Sequence, residues 1–166
     1  MNPFDPLRKV MHADEAVARF ADRPGTVFVH GVFDLLDRDH VAFLAAARQL
    51  GDRLVLAIAG DAVVPDVHKP LEHAPRHEGE RAFLVAALDS VDAVVIVDEQ
   101  PPLALLARLR PALHAVAGDH AGGELAESAL LRSWGGRVIA LPFVRDLSGA
   151  ALIERIRAGG LVAHDD

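Results

Sequence analysis

The sequence predicts an α/β protein in which helices cover both faces of a parallel sheet of five strands. Short apolar runs rich in β-branched residues alternate along the chain with segments whose apolar residues recur at helical spacing. Hydrophobic residues make up 51% of the chain and aromatic residues only 5%, so the apolar content is mostly Ala, Val and Leu. This composition suits helices packed on a buried sheet. Because strands and helices alternate throughout, parallel strands with right-handed crossovers are expected.

The first strand, turn and helix lie within residues 26–50. Residues 27–29 form an apolar run typical of a buried strand, and Gly31 breaks this run. The segment that follows has apolar residues at roughly helical spacing, which predicts a helix. Before this unit, residues 12–20 predict a short helix and residues 1–6, with two prolines, predict a loose tail.

The rest of the chain continues the alternation. Further apolar runs predict strands at residues 53–59, 93–97, 113–117 and 137–141. Segments with helical spacing predict helices over residues 80–88, 102–109, 123–134 and 150–157. Between the second strand and the next helix, residues 63–79 are rich in proline and histidine and have no periodicity. They predict a long loop, and loops of this length in compact domains are usually functional lids or mobile segments.

The length of 166 residues predicts a single domain. Residues 1–24 are assigned to a tail and lead-in helix, residues 25–158 to the α/β core and residues 159–166 to a second tail. The formal charge of −7 argues against a nucleic-acid partner, and the absence of cysteine excludes disulfides, thiolate zinc sites and thiol nucleophiles. No apolar run approaches the roughly 18 residues of a membrane span, and the N-terminus is no signal peptide. A cytoplasmic protein without a membrane partner is therefore expected.

The ends of the predicted strands carry small and acidic residues. Gly31, Asp61 and the pair Gly118-Asp119 each follow a strand, and residues 143–148 follow the last one. In parallel sheets the ligand crevice lies at the carboxyl ends of the strands. These residues are therefore expected to gather at one edge of the sheet.

The start of the helix after Gly31 holds a conflict of charge. A buried strand, a glycine turn and a helix N-terminus form a phosphate-binding layout, because unpaired amides and the helix dipole converge there. Here, however, Asp37 and Asp39 stand just before His40. In one interpretation Asp37 is the N-cap that accepts from the His40 amide, and Asp39 is favourable in the first turn. In the other, these three residues, with Asp119 or His120, bind a divalent cation such as Mg²⁺.

Other polar side chains also allow two interpretations. His30, at the end of the first strand, either turns its ring into the crevice or is a satisfied histidine of the crevice wall. Trp134 is interpreted as core packing. The long loop also carries histidines and basic residues that either close over a phosphate or are solvated. They are His68, His73, His77, Lys69 and Arg76.

The chain resembles a known family over nearly its whole length. The likeness begins in residues 30–62, HGVFDLLDRDHVAFLAAARQLGDRLVLAIAGDA, which look like the opening of the cytidylyltransferase-like nucleotidyltransferases. In that family a Gly-Phe-Asp turn leads into a His-x-Gly-His helix start. The most similar members are the bacterial heptose-phosphate nucleotidyltransferases of ADP-heptose synthesis. Four further segments are similar: residues 80–81 with 84–97, residues 102–111, residues 118–119, and residues 141–148 with 151–157.

The resemblance implies a Rossmann-like fold and an enzyme that transfers a nucleotidyl group. An oxygen of a sugar phosphate attacks the α-phosphate of a nucleoside triphosphate, and pyrophosphate leaves. In the family, two histidines and a helix N-terminus stabilise the growing charge, assisted by lysines, an arginine and usually Mg²⁺. The implied partners are a nucleotide and a phosphorylated small molecule, and a homodimer is usual in the family.

The motif residues carry over only in part. The implied catalytic residues are His40, which matches the second histidine of the motif, Arg81, which matches an arginine after the long loop, and Asp37, at the position of the first histidine. The implied nucleotide-binding residues are His30, Gly31, Phe33, Asp34, Asp61, Gly118, Asp119 and Ser148. The candidate metal ligands are Asp37 and Asp39.

Several positions depart from the family pattern. Most of these departures remove a cation or a donor from the phosphate site, and Asp37 and Asp39 add negative charge to it. Asp37 replaces a histidine, Asp39 a glycine and Val116 a lysine. The arginine and two threonines that follow the last strand in the family are replaced by Leu147, Gly149 and Ala150. Loss of one transition-state donor typically lowers the rate about 10²- to 10³-fold.

Three functions are therefore weighed. The first is a nucleotidyltransferase that acts on a sugar phosphate with a rearranged, metal-dependent site. The second is a catalytically impaired relative that binds nucleotide and acts as a regulatory or scaffolding protein. The third is another phosphate-ester chemistry, such as hydrolysis, at the Asp-rich helix start. The family assignment favours the first.

Overall fold

The computed structural model describes residues 5–64, 76–118 and 126–142. Its strands are β1 (Thr26–Gly31), β2 (Arg53–Ala59), β3 (Ala93–Val97), β4 (Leu113–Ala117) and β5 (Arg137–Leu141). Its helices are α1 (Ala13–Phe20), α2 (Arg38–Gln49), α3 (Glu78–Ala86), α4 (Leu103–Leu109) and α5 (Ala126–Arg132), preceded by a 3₁₀ turn at Pro6–Lys9. The strands form one sheet in the order β3-β2-β1-β4-β5, and all neighbouring strands are parallel. The predicted α/β architecture is confirmed.

Strand positions follow the sequence prediction more closely than helix ends do. The bounds of β2 to β5 are those predicted, and β1 extends the predicted run at both ends. Helix α3 begins at Glu78 instead of residue 80, because Nδ1 of His77 accepts from the amide of Gly79 at 3.1 Å and caps the helix earlier. The expected loose tail was wrong at Pro6, where the Asp5 side chain accepts from the amide of Leu7 at 3.0 Å and closes a turn.

Other helix ends differ by a few residues. Helix α4 starts at Leu103, directly after Pro102. Helix α5 ends at Arg132, so Trp134 lies beyond it, where its Nε1 donates to the carbonyl of Pro111 at 3.0 Å. Its ring packs against a buried cluster, which confirms the core interpretation. The helix predicted over residues 150–157 and most of the loop predicted over residues 63–79 lie outside the described residues.

The side chains of the central strands alternate between two apolar clusters, one on each face of the sheet. Val27 and Val29 pack with residues of α2 and α3 on one face, such as Leu44 and Val85. Phe28 packs on the other face with residues of α1, α4 and α5. Burial on both faces explains why these strands read as continuous apolar runs instead of alternating ones.

The order of the strands places a crevice between β1 and β4. From β1 the chain proceeds to β2 and β3 on one side, then crosses to β4 and β5 on the other. β1 pairs with β2 along its whole length, but with β4 only at Val27–Leu113 and Phe28–His114. The two strands part beyond Phe28, and the ends of both border the gap. In the described part of the chain, no helix is long and apolar enough to cross a membrane.

Candidate functional site

A cavity of about 270 Å³ lies where β1 and β4 part. Its walls come from residues 30–33 at the end of β1, residues 114–117 of β4, His40 and Phe43 of α2, and Glu127 of α5. The cavity therefore occupies the position at which doubly wound sheets bind ligands. Four of the predicted site residues line it, namely His30, Gly31, Phe33 and His40.

The N-terminus of α2 is closed by its own aspartate. Oδ1 of Asp37 accepts from the amides of Asp39 and His40, both at 3.0 Å, so the capping interpretation of Asp37 is confirmed. The same oxygen lies 2.7 Å from Nδ1 of His40 and orients the imidazole. Any hydrogen bond from His40 to a ligand in the cavity must then use Nε2. A phosphate that docked on these amides would have to displace the Asp37 carboxylate.

Phe33 holds a strained backbone at the turn after β1. Its φ is 53°, in the left-handed region that costs a bulky residue roughly 1–2 kcal/mol. The ring lies against Gly31, where an added Cβ would come 2.8 Å from Cε2 of Phe33. It also meets the His40 ring edge-on at a centroid distance of 5.7 Å. The strain thus places an aromatic wall between the glycine turn and His40.

Arg81 is completely buried and joins three segments behind the cavity. Its Nε donates to the carbonyl of Arg76 and its Nη1 to that of Val32, both at 2.8 Å. Its Nη2 pairs with Oδ1 of Asp61 at 2.7 Å. In this geometry the guanidinium is a positioning group for the turn after β1 and for the end of β2. Direct contact of Arg81 with a phosphate stays a prediction.

Two other predicted site residues support the same region from outside the cavity. Asp34 is buried, and its Oδ1 accepts from the amide of Arg76 at 2.7 Å. The Asp61 amide donates to Oε2 of Glu78 at 2.7 Å. Gly118 follows β4, close to Leu141 of β5. Asp119, His120 and Ser148 lie outside the described residues, so their predicted roles stay predictions.

The floor of the cavity is a buried cluster of two histidines and a glutamate. Nε2 of His30 lies 2.9 Å from Oε1 of Glu127, and the rings of His30 and His114 are 5.1 Å apart. His114 is only 1% exposed. Burial, with a smaller contribution from His30, lowers the pKa of His114 from 6.5 to about 3. The hydrogen bond from His30 lowers the pKa of Glu127 in spite of its burial, so Glu127 is a carboxylate at neutral pH.

Sequence reasoning found His30 but missed His114 and Glu127. His114 interrupts the apolar run of β4 (LHAVA), and a polar side chain inside a buried strand was the signal available. Glu127 gave no signal, since its partner His30 is 97 positions away.

The metal prediction receives no support from the described residues. Among them, no group of three His, Asp or Glu side chains is arranged to hold a metal ion. Oδ1 of Asp37 is already used by three donors. A cation site that also uses Asp119 or His120 stays a prediction, because those residues are not described.

Comparison with protein families identifies the chain. Residues 28–139 match the model of the cytidylyltransferase-like family. The chain belongs to this family. The match contains β1 from Phe28 onward, all of β2 to β4, the capped N-terminus of α2 and the floor cluster. It confirms the resemblance carried by residues 30–62.

Individual relatives show which members of the family the chain resembles. D-beta-D-heptose 1-phosphate adenylyltransferase of Bordetella bronchiseptica is 42% identical over 155 residues, which cover 91% of this chain and 95% of that protein. The bifunctional protein HldE of Magnetococcus marinus is 38% identical over 155 residues, covering 93% of this chain but 32% of that protein. The chain thus spans nearly all of the first relative and about a third of the second. The expected similarity to heptose-phosphate nucleotidyltransferases is confirmed.

Solved structures agree on the fold. The lipopolysaccharide core biosynthesis protein from Thermoplasma volcanium superposes with a TM-score of 0.60 at 23% identity, over 74% of this chain and 98% of that one. Pantoate-beta-alanine ligase from Francisella tularensis superposes with a TM-score of 0.57 at 13% identity, over 95% of this chain and 79% of that one. At these identities the likeness concerns the fold alone.

Proposed function

We propose that this chain transfers the adenylyl group of ATP to D-β-D-heptose 1-phosphate and releases pyrophosphate. The observation that carries the proposal is the 42% identity to a D-beta-D-heptose 1-phosphate adenylyltransferase over 95% of that protein's length. The cavity between β1 and β4 supplies a place for the reaction at the switch point of the sheet.

In the proposed reaction, a phosphate oxygen of the acceptor attacks the α-phosphorus of ATP. A new P–O bond forms to the acceptor, and the bond to the bridging oxygen of the β-phosphate breaks, so pyrophosphate leaves with those electrons. Reactions of this kind need positioning and charge stabilisation more than covalent help from the protein. His40 is the described side chain best placed to stabilise the α-phosphate, since it lines the cavity and matches a histidine of the family motif.

Asp37 has a different role in this proposal from the one implied by its motif position. It holds the His40 ring through Nδ1 and caps α2, so it acts as a positioning residue. Because its carboxylate occupies the helix amides, the negative charge of the triphosphate must be compensated by other groups. Mg²⁺ that enters with ATP would supply such charge, and it commonly needs only one or two protein carboxylates besides the phosphates. We propose Asp39, in the first turn of α2 next to the cap, for that contact.

The test is pyrophosphate release from ATP and D-β-D-heptose 1-phosphate, with and without Mg²⁺, compared with CTP as donor. His40→Asn is expected to lower kcat by about 10²- to 10³-fold, the usual cost of one transition-state donor. The matched control is His12→Asn, which changes an exposed histidine distant in sequence from the motif. ATP binding without pyrophosphate release would refute the proposed transfer and support the nucleotide-binding, regulatory alternative.

The proposed function also bears on where the protein works and on its oligomeric state. We infer a cytoplasmic enzyme, because its nucleoside triphosphate substrate is held in that compartment. A homodimer, implied by the family resemblance, stays a prediction that sedimentation at two protein concentrations would test.

A further inference from the structure

Three ring nitrogens at the floor of the cavity have no hydrogen-bond partner among the described residues. They are Nδ1 of His30 and both nitrogens of His114, and all three are buried. Both side chains line the cavity. Buried polar groups in native proteins are normally paired, and leaving one unpaired lowers stability. A group that enters this cavity is positioned to supply the missing partners.

The protonation of the floor follows from its contacts. The Glu127 carboxylate only accepts hydrogen bonds, so Nε2 of His30 must carry the proton between them. In neutral His30, Nδ1 is then an acceptor. His114 is neutral because of its burial, and a neutral imidazole presents one donor and one acceptor. With the His30 ring protonated on Nε2 alone, the floor therefore offers two acceptors and one donor to a ligand.

The lining of the floor disfavours a phosphate group. Glu127 contributes a carboxylate, and among the described lining residues neither a lysine nor an arginine contributes. A phosphate needs cations and N–H donors, whereas a hydroxyl group both donates and accepts. Phe33, Phe43 and Ala115 provide apolar wall surface, which suits the C–H face of a sugar ring.

We propose that His30 and His114 bind hydroxyl groups of a sugar ring, with Glu127 as the positioning residue that fixes the tautomer of His30. The identity of the ring rests on the proposed function, which offers two sources of the same chemistry: the ribose of ATP and the heptose of the acceptor. In either case the floor selects an uncharged, hydroxyl-bearing part of the ligand and keeps the phosphates away from Glu127.

The first test compares wild type and His114→Leu by calorimetric titration of the full chain. Three ligands are titrated separately: ATP, D-β-D-heptose 1-phosphate and inorganic tripolyphosphate. His114→Leu is expected to weaken a sugar-bearing ligand about tenfold, which corresponds to one neutral hydrogen bond, while tripolyphosphate binding is unchanged. Loss confined to ATP identifies the ribose, and loss confined to the heptose phosphate identifies the acceptor.

The outcomes separate this inference from the proposed function. Binding is measured without turnover, so absent pyrophosphate release refutes the transfer reaction and leaves the sugar subsite standing. An equal loss for all three ligands, no loss for any, or no binding of either sugar-bearing ligand by wild type overturns the subsite. Since the nitrogens of His114 have no described partner, a drop in affinity without a drop in stability also rules out a merely structural effect.

A second variant tests the positioning role. Glu127→Gln keeps the side-chain shape, but an amide can donate as well as accept, so the tautomer of His30 is no longer fixed. The sugar-bearing ligand that His114→Leu weakens should also bind Glu127→Gln several-fold more weakly than wild type. The affinity for tripolyphosphate should again be unchanged. Glu15→Gln, an exposed glutamate of α1, is the matched control. Unchanged sugar affinity in Glu127→Gln would refute the positioning role.

Discussion

Replacing His114 with leucine should make the protein markedly less sensitive to mild acid. The imidazole is fully buried, and its pKa falls from 6.5 to about 3 on folding. Between these two values the unfolded chain binds a proton that the folded chain does not, so the free energy of unfolding falls as pH falls below about 6.5. From pH 7 to pH 5 this one residue removes about 2 kcal/mol of stability. Leucine has similar volume and no proton to gain, so His114→Leu should avoid that loss.

The assay is urea unfolding of wild type and variant at pH 7 and pH 5. The interval from pH 7 to pH 5 lies above the usual pKa of a glutamate. The lowered pKa of Glu127 therefore contributes stability that is lost only below this interval. His12→Gln, which removes an exposed histidine, should behave like wild type. If His114→Leu lost as much stability between the two pH values as wild type, His114 would be charged or hydrogen-bonded in the folded protein, and the reasoning would fail.

Three further predictions concern the turn after β1 and its supports. Arg81→Lys should lower the free energy of unfolding by about 3 kcal/mol, since a lysine cannot reproduce the three bonds of the buried guanidinium; a loss below about 0.5 kcal/mol in urea would contradict this. Asp37→Ala should cost about 1 kcal/mol, whereas Asp37→Ser keeps a cap and should cost little. Removal of the charge in Asp37→Ser should also tighten tripolyphosphate binding by calorimetry, and unchanged affinity would show that repulsion by Asp37 is unimportant. Gly31→Ala should push the Phe33 ring away, lower the free energy of unfolding by about 1 kcal/mol and weaken ATP binding. Unchanged ATP affinity would refute a role for the Phe33 ring in binding.

Much of the sheet could be predicted because strands buried on both faces, such as β2 and β3, leave a strong local signal. The runs that form β2 to β5 are apolar throughout or nearly so, and their bounds are those predicted. Helix ends depend on single side-chain contacts, such as the His77 cap of α3, which spacing alone does not reveal. The Asp37 cap was one of two interpretations of the helix start, and it could be named from the sequence because the N-cap pattern is local.

The site was harder to predict because its geometry depends on contacts distant in sequence. The family resemblance placed Arg81 near the phosphates, whereas its described bonds hold Val32, Arg76 and Asp61 in place. The pairing of His30 with Glu127 joins β1 to α5 across 97 positions. No periodicity or short motif reports such a pairing, so the polar floor became visible only in the folded chain.

The parting of β1 from β4 has a mechanical consequence. Since these strands pair only at Val27–Leu113 and Phe28–His114, the sheet has a seam, with β1 to β3 on one side and β4 and β5 on the other. The contact between His30 and Glu127 spans this seam beyond Phe28–His114, the last pair of residues that joins β1 to β4. It therefore links the two halves of the sheet where the strands themselves are no longer paired. A molecule that fills the cavity touches both halves at once, so it should stiffen the seam as well as occupy it. We expect slower amide hydrogen exchange along the ends of β1 and β4 when the cavity is filled.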